Sequence, residues 1–298
     1  MSAAFISARD FLQAATILMM VPTALFVPKR RWPRSCRRIS AVGRAVRIKQ
    51  VAEIAEMLAG FDTSGVDAQA GYRQCLEMYF ENRLHIVDQN LFNRWQPDIG
   101  LTGREHIDNA LAAGRGAILW VSPFAFSDLI VKIALSQGGY DIDHLSRPEH
   151  GFSVTKAGIA TLNRMRTSIE DRYLHDRVRI DAGTEKKAML ALRRIVKNNG
   201  IVSITVGSQT KEPDRIKVGH GELKIATGAL RLAQMNKAPL IPVFGVKRGD
   251  LDYHVHIEPP LDLSGKDTEP ALQQYAALLH RYIKEYSFQW RGTADFTA

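Results

Sequence analysis

The chain has 298 residues, of which 45% are hydrophobic and 24% charged, so it is neither a disordered chain nor a protein of many membrane spans. Its formal net charge is +9, and ten of its 40 basic residues lie in the first 50 positions, where Asp10 is the one acidic residue. The rest of the chain is balanced in charge, which argues against a nucleic-acid-binding domain. Two cysteines, Cys36 and Cys75, have no metal-ligand spacing and favour a reducing compartment.

The first predicted element is an uncharged segment from Phe11 to Pro28, with the sequence FLQAATILMMVPTALFVP. As a helix of about 18 residues it would be roughly 27 Å long, slightly less than the roughly 30 Å hydrocarbon core of a bilayer. A cluster of basic residues follows it and favours anionic lipid and the cytoplasmic side of a membrane. The cluster comprises Lys29, Arg30, Arg31, Arg34, Arg37 and Arg38.

Residues 1–50 are therefore predicted to form a hydrophobic and basic membrane-anchoring segment, and residues 51–298 an α/β domain. The anchor helix is expected to lie in the interface or to span marginally, on the cytoplasmic face of the inner membrane. A cleaved signal peptide and a buried helix of a soluble protein are the alternatives.

Apolar periodicity predicts helices over much of 48–93 and over 127–137, 152–166, 185–198 and 222–235, with a last helix that begins near Thr268. Thr102 and Glu105 form a capping-box pattern for a further short helix. Buried strands are predicted at 117–122, 140–145, 178–180, 201–206, 240–245 and 253–257. This alternation predicts a mostly parallel central sheet covered by helices on both faces.

Ligands of open parallel sheets bind beyond the carboxyl ends of the strands. The loops after Ser122, Leu145, Val206 and Phe244 are therefore predicted to share one rim and to carry the functional residues.

One stretch is especially informative: GRGAILWVSPFAFSD, from Gly114 to Asp128, has the form of a buried strand, a loop and the start of a helix. Supporting segments are NRMR at Asn163–Arg166, LRRIVKNNGIVSI at Leu192–Ile204 and ATGALRLAQMNKAPLIPVF at Ala226–Phe244. On these segments, residues from about Leu84 to Leu263 resemble the bacterial lipid A biosynthesis acyltransferases, within the lysophospholipid acyltransferase superfamily.

The resemblance implies transfer of a fatty acyl chain from acyl carrier protein or acyl-CoA to a hydroxyl group, with a motif histidine as general base and a motif acid to orient it. Asp128 matches the acid, but Pro123 stands where the histidine is expected, and proline has no titratable group. The resemblance also implies a catalytic role for Arg164. For Asp128 the alternative is a helix N-terminal acid, and for Arg164 a solvated helix residue.

His220, in the turn Val218-Gly219-His220-Gly221, is the candidate replacement base, although a histidine between glycines is more often a surface residue. His144 and His150, on either side of the Ser146-Arg147-Pro148 segment, are weaker candidates for the same role. The predicted substrate-binding residues lie at the strand ends: Ser122, Pro123, Phe124, Arg147, Ser208 and Gln209. Ser208 stands closest to an acidic position of the family. No metal site and no cofactor are expected, because acyl carrier protein or acyl-CoA brings the acyl group as co-substrate.

The primary hypothesis is an acyltransferase with non-standard catalytic residues, acting on an amphipathic amine or hydroxyl acceptor at a membrane surface that contains anionic lipid. The alternative is a catalytically silent family member that binds acyl chains, an acyl carrier or a partner enzyme. A third hypothesis is an unrelated membrane-surface binding protein, which predicts a closed core behind Ser122–Asp128.

Overall fold

The computed structural model describes residues 4–42, 48–61, 67–181, 183–210, 212–265 and 267–298. Its α-helices are α1 (Ala8–Phe26), α2 (Trp32–Val42), α3 (Ile48–Gly60), α4 (Ala68–Leu91), α5 (Arg104–Ala112), α6 (Ser127–Gln137), α7 (Lys156–Gly158), α8 (Arg164–Glu170), α9 (Glu185–Lys197), α10 (Gly228–Asn236) and α11 (Glu269–Tyr286). A π-helical turn, Ile159–Asn163, joins α7 to α8.

The strands are β1 (Ile99–Thr102), β2 (Ala117–Val121), β3 (Ile142–Ser146), β4 (Asp176–Arg179), β5 (Ile201–Thr205), β6 (Asp214–Val218), β7 (Gly221–Ile225), β8 (Leu240–Gly249), β9 (Asp252–Ile257) and β10 (Phe296–Thr297). Within the described residues, a seven-stranded sheet has the order β1-β9-β8-β2-β5-β3-β4, and β10-β7-β6 form a smaller sheet.

The central sheet is mostly parallel, as the alternation of strands and helices predicts. The parallel pairs are β1 with β9, β2 with both β5 and β8, and β3 with both β4 and β5, whereas β8 and β9 form an antiparallel hairpin. The carboxyl ends of β2, β3, β4, β5 and β8 therefore share one edge, as the sequence predicts for the strands that end near Ser122, Leu145 and Val206. The predicted loop after Phe244 is wrong, because β8 continues to Gly249 through its hairpin with β9.

Side chains of β2 alternate between two hydrophobic cores because successive residues of a strand point to opposite faces. Leu119 and Val121 belong to the core that contains α1, α2, α4 and α6, whereas Ile118 and Trp120 belong to the core that contains α9, α10 and α11. Both faces of β2 are consequently buried, which explains its continuous apolar sequence.

The N-terminal helix α1 packs against α4 through one face, which buries Ile17, Met20 and Ala24. Its other face is exposed and apolar: Phe11, Leu12, Leu18, Met19, Leu25 and Phe26 are each between 42% and 82% exposed. We call these six residues the apolar face of α1. None of the described helices is both long and apolar enough to cross a membrane.

Two local predictions are wrong. The predicted helix 222–235 begins only at Gly228, because Leu223 and Ile225 are buried alternately with exposed Glu222 and Lys224 in strand β7. Thr102 does not cap α5: it ends β1, and Gly103 takes the N-cap position with a φ of 80°. A Cβ at Gly103 would lie 1.8 Å from a carbonyl oxygen of β9, so only glycine fits there.

The predicted helix 152–166 is shorter and less regular than expected. A loop occupies 147–155, and regular α-helix returns only at Arg164 after the π-helical turn. This loop and turn carry several of the polar residues of the candidate site.

Candidate functional site

The loop after β2 is tied down on both sides of Pro123. The Pro123 carbonyl accepts a hydrogen bond from the Arg291 amide at 2.7 Å, and the hydroxyl of Ser122 lies 3.0 Å from the phenolic oxygen of Tyr275. Ser127 closes the loop by accepting from the Phe124 amide at 3.1 Å and donating to the Phe124 carbonyl at 3.0 Å. Asp128 thereby follows in the first turn of α6, at the carboxyl edge of the sheet.

Asp128 meets an arginine of α8. Its carboxylate accepts a hydrogen bond from Nη2 of Arg166, and its side chain is 31% exposed. Arg166 also donates through Nε to Glu170 at 3.0 Å, so one guanidinium links the two carboxylates.

Glu170 is the centre of a buried ion-pair network. Its side chain is only 1% exposed, and basic side chains from three other elements surround it. Lys132 Nζ of α6 lies 3.3 Å from its carboxylate, Arg177 of β4 donates to it at 3.0 Å, and the ring of His150 lies at 3.0 Å. Burial of an acid at this depth requires such partners, because an unpaired charge would be strongly destabilising.

His150 is held in one orientation by Glu170. Its Nε2 atom lies 3.0 and 3.2 Å from the two carboxylate oxygens. An ionised carboxylate only accepts hydrogen bonds, so Nε2 is the donor and a neutral ring carries its lone pair on Nδ1. The side chain is 19% exposed, which leaves part of the ring accessible. The arrangement is an acid–histidine pair of the kind that general-base catalysis uses.

The charges at the site favour ionised carboxylates. Burial opposes ionisation of Glu170, but Lys132, His150 and Arg166 outweigh it and hold its pKa well below the ordinary value. The pKa of Asp128 is also lowered, because Arg166, His150 and Lys132 more than offset its desolvation. Burial is the dominant influence on Lys132, whose pKa is lowered despite the two acids.

The loop that carries His150 is fixed by buried polar contacts. Asn163, in the π-helical turn, accepts through Oδ1 from the amides of Phe152 and Ser153 at 2.7 and 2.9 Å. Asp10 of α1 accepts from the Thr155 hydroxyl at 2.8 Å. The N-terminal helix therefore contributes directly to the positioning of this loop.

The space beside Asp128 is small. A cavity of about 10 Å³, lined by Asp128, Arg166, Glu170 and apolar neighbours, has room for about one water molecule. Ser122, Phe124 and Ser127 of this loop are all buried. Within the described residues, no group of three or more His, Cys, Asp or Glu side chains could hold a metal ion.

The structure brings together some of the residues that the sequence selects and separates others. Arg147 donates to the Gln209 carbonyl at 2.9 Å, which joins the loops after β3 and β5, and Ser208 donates to Asp295. Arg164 is exposed and lies outside the Asp128 network.

His220 lies in the β6–β7 turn, where its amide donates to the Gly60 carbonyl at 2.8 Å at the end of α3. The β6–β7 turn belongs to the smaller sheet, and this hydrogen bond joins it to α3. Ser122 and Phe124 are core residues, with Phe124 packed edge-on against Phe244 and Tyr282.

Sequence reasoning missed Arg166, Glu170, Lys132 and Arg177. A signal was present in the first three: Asp128 and Lys132 are four residues apart in α6, and Arg166 and Glu170 are four apart in α8. Two helices with opposite charges at this spacing can form matched ion pairs across their interface.

No protein-family model matches the chain, and no curated protein is significantly similar to it in sequence. Among solved structures, the chain is similar to the crystal structure of the 1-acyl-sn-glycerophosphate (LPA) acyltransferase PlsC from Thermotoga maritima. The TM-score is 0.36 and the sequence identity 14%, over 80% of this chain and 97% of that chain. A similarity of this size assigns neither a family nor an activity.

Proposed function

We propose that the chain is an acyltransferase that moves an acyl group from acyl carrier protein or acyl-CoA to an amine or hydroxyl acceptor at a membrane surface. The observation that carries the proposal is the His150–Glu170 pair, joined through Arg166 to Asp128 at the carboxyl edge of the sheet. The proposed type of reaction is taken from the sequence resemblance to the lipid A biosynthesis acyltransferases. In this proposal His150 takes over the task that Pro123 cannot perform.

The proposed step is base-assisted thioester attack. Neutral His150 removes the proton from the acceptor as the acceptor oxygen or nitrogen attacks the thioester carbonyl carbon. The C–S bond breaks, and the thiolate leaves and takes up a proton. Glu170 stabilises the imidazolium that forms, and Arg166 is a positioning residue that fixes both carboxylates.

The apolar face of α1 supports action at a membrane surface. Full burial of a Leu or Phe side chain contributes about 1.5–3 kcal/mol, so six partly exposed side chains contribute roughly 5–11 kcal/mol before the costs of association. The exposed basic residues Arg30, Arg31, Arg34 and Arg38 follow directly and favour anionic lipid.

The same surface is connected to the site loop. The Phe5 carbonyl accepts from the Ala157 amide at 2.9 Å, and Val154 in the site loop is 62% exposed. Phe5 is itself 72% exposed, which extends the apolar surface toward the loop that carries His150. In the proposed arrangement α1 lies in the plane of the membrane interface, on the cytoplasmic face of the inner membrane.

The test of the chemistry compares His150→Gln with His220→Gln. Purified protein is given a panel of acyl carrier protein and acyl-CoA thioesters with anionic vesicles, and thiol release and acylated products are measured. We expect His150→Gln to lower the rate about 10²–10⁴-fold, the usual contribution of a positioned base. The matched variant His220→Gln is expected to stay within about twofold of wild type, since its turn lies outside the network. Equal rates for wild type and His150→Gln would exclude His150 as the base.

The test of membrane docking compares two exposed leucines. Leu18, on the apolar face of α1, is 69% exposed, and Leu190, on α9, is 64% exposed. We expect Leu18→Ser to weaken co-sedimentation with anionic vesicles and Leu190→Ser to leave it unchanged. Equal binding by both variants would contradict docking through α1.

A second candidate is a catalytically silent family member that binds an acyl chain, an acyl carrier or a partner enzyme, and the small volume of about 10 Å³ beside Asp128 favours it. It predicts no turnover with any thioester donor, while vesicle binding persists. The third hypothesis, an unrelated binding protein, predicts a closed core behind Ser122–Asp128. Pro123→His separates the two, because a gain of acyl transfer is expected only from a silent acyltransferase.

A further inference from the structure

A second cavity lies at the carboxyl end of α1, away from the Asp128 network. It has a volume of about 350 Å³ and is lined by Leu25, Phe26, Val27, Pro28, Lys29 and Arg94. Its apolar lining residues include Leu25 and Phe26 of the apolar face of α1, and its basic lining residues are Lys29 and Arg94. This combination suits an amphipathic molecule with an anionic head.

The acid beside these two cations, Asp88, already accepts several hydrogen bonds. Asp88 is fully buried and accepts from the Arg94 amide at 3.0 Å, from Arg94 Nε at 3.0 Å and from the Trp95 amide at 2.5 Å. Arg94 also donates through Nη2 to the Ala24 carbonyl at 2.5 Å, which fixes the guanidinium at the end of α1. The single charge of Asp88 therefore serves Arg94 and leaves the second cation unneutralised.

That second cation is Lys29. Among the described residues, its ammonium group has no hydrogen-bond or ion-pair partner, although the residue is only partly exposed. Partial burial, reinforced by Arg94, lowers the pKa of Lys29, and the attraction of Asp88 only partly offsets this. A bound anion would satisfy the three donors of the ammonium group and neutralise its charge.

We propose that this cavity binds the phosphate group of an anionic phospholipid, with Lys29 as the principal ligand and Arg94 as a second donor. The inference rests on the membrane docking proposed above and adds a specific headgroup site to it. The acyl chains of the lipid would lie along Leu25 and Phe26, which are 42% and 82% exposed. A bound lipid would thus continue the bilayer along the apolar face of α1.

The experiment measures binding of a short-chain phosphatidylglycerol below its critical micelle concentration, by titration calorimetry with the full chain. A monomeric lipid presents no charged surface, so general attraction to a bilayer does not contribute. We expect Lys29→Gln to weaken binding about tenfold or more, as loss of a charge-assisted hydrogen bond implies. Lys197→Gln removes the same charge from an exposed position on α9, outside the cavity and the basic cluster, and is expected to change binding less than about twofold. Lys29→Arg is expected to retain binding.

Three outcomes would overturn the proposal. One is equal affinity of wild type and Lys29→Gln, and another is an equal loss in Lys29→Gln and Lys197→Gln. The third is binding of glycerol phosphate as tight as that of the lipid, which would assign the cavity to a free phosphate ester. Phe26→Ser is expected to weaken binding of the lipid and not of glycerol phosphate.

Failure of this site is distinguishable from failure of membrane docking. If wild type does not co-sediment with vesicles that contain phosphatidylglycerol, docking through α1 is refuted. If wild type co-sediments and Lys29→Gln binds the vesicles and the monomeric lipid equally well, only the headgroup site is refuted.

Discussion

Replacement of Arg166 by alanine is expected to destabilise the fold by about 2–3 kcal/mol, whereas Arg164→Ala is expected to change the free energy of unfolding by less than about 0.5 kcal/mol. The two arginines are separated by one residue of α8. Arg166 is 16% exposed and bridges Asp128 and Glu170, whereas Arg164 is exposed. The two variants therefore compare the loss of an arginine inside the ion-pair network with the loss of a nearby arginine outside it.

The magnitude follows from the contacts that are lost. Two hydrogen bonds to charged groups would together contribute about 3–6 kcal/mol if nothing replaced them. Glu170 keeps Lys132, His150 and Arg177, and the Asp128 side chain is 31% exposed and gains water. These remaining interactions offset part of the lost hydrogen-bond energy, so the expected net destabilisation by Arg166→Ala is about 2–3 kcal/mol.

The assay is urea unfolding followed by far-ultraviolet circular dichroism at several pH values. The folded-state pKa values of Asp128 and Glu170 are lowered, so their stabilisation is present above the ordinary carboxyl pKa and is lost as the pH falls through the lowered values. The difference between wild type and Arg166→Ala should therefore be largest near neutral pH and shrink in acid. Equal unfolding midpoints for the two alanine variants at neutral pH would refute the network.

Three further predictions concern stability. The pKa of Asp10 is lowered from 3.8 to about 2, chiefly by hydrogen bonds, so Asp10→Asn should abolish the part of the stability that wild type loses as the pH falls from 3.8 toward 2. Unchanged acid sensitivity in that variant would contradict this. Ser122→Ala should cost about 1–3 kcal/mol because it leaves the buried Tyr275 hydroxyl unpaired, and Ser122→Ala with Tyr275→Phe should cost less than the sum of the single variants. Additive losses in urea unfolding would argue against that pair. Gly103→Ala should destabilise the fold more than Gly114→Ala does. Both glycines have positive φ, but only at position 103 would the added Cβ collide with backbone atoms. Equal thermal unfolding midpoints for the two variants would contradict this prediction.

The sequence predicted the position of Asp128 in the candidate site, but it did not predict which residues pair with Asp128. The position of Asp128 at the start of a helix after a buried strand follows from local periodicity, and the structure has α6 at the predicted Ser127–Gln137. The choice between Arg164 and Arg166 does not follow, because residues two apart on a helix point about 200° apart. The π-helical turn directly before Arg164 adds to the difficulty, because each residue inserted into a helix rotates the following side chains by about 100°.

The choice between His150 and His220 likewise depended on the tertiary structure. His150 and His220 both lie in loops with turn-forming neighbours, and the sequence favoured His220 because a flexible glycine turn was expected to bring it to the rim. His150 belongs to the candidate site because the fold brings the carboxylate of Glu170, twenty positions later in the chain, within hydrogen-bond distance of its ring. The β6–β7 hairpin, by contrast, is a local pairing within residues 214–225. The alternation of buried Leu223 and Ile225 with exposed Glu222 and Lys224 is a period-two signal that the helix prediction overlooked.

By itself, the sequence determined the class of fold, because the alternation of apolar strands and amphipathic helices is a local pattern that already selects a parallel sheet with two covered faces. It also determined which strand ends form the rim and that an apolar helix precedes a basic cluster. Only the tertiary structure decided which side chains meet there: that α1 packs through one face and exposes the other, that Arg166 and His150 join Asp128 through Glu170, and that Lys29 and Arg94 share a cavity. These pairings depend on the distances between elements far apart in the chain, and packing fixes those distances only when the whole chain has folded.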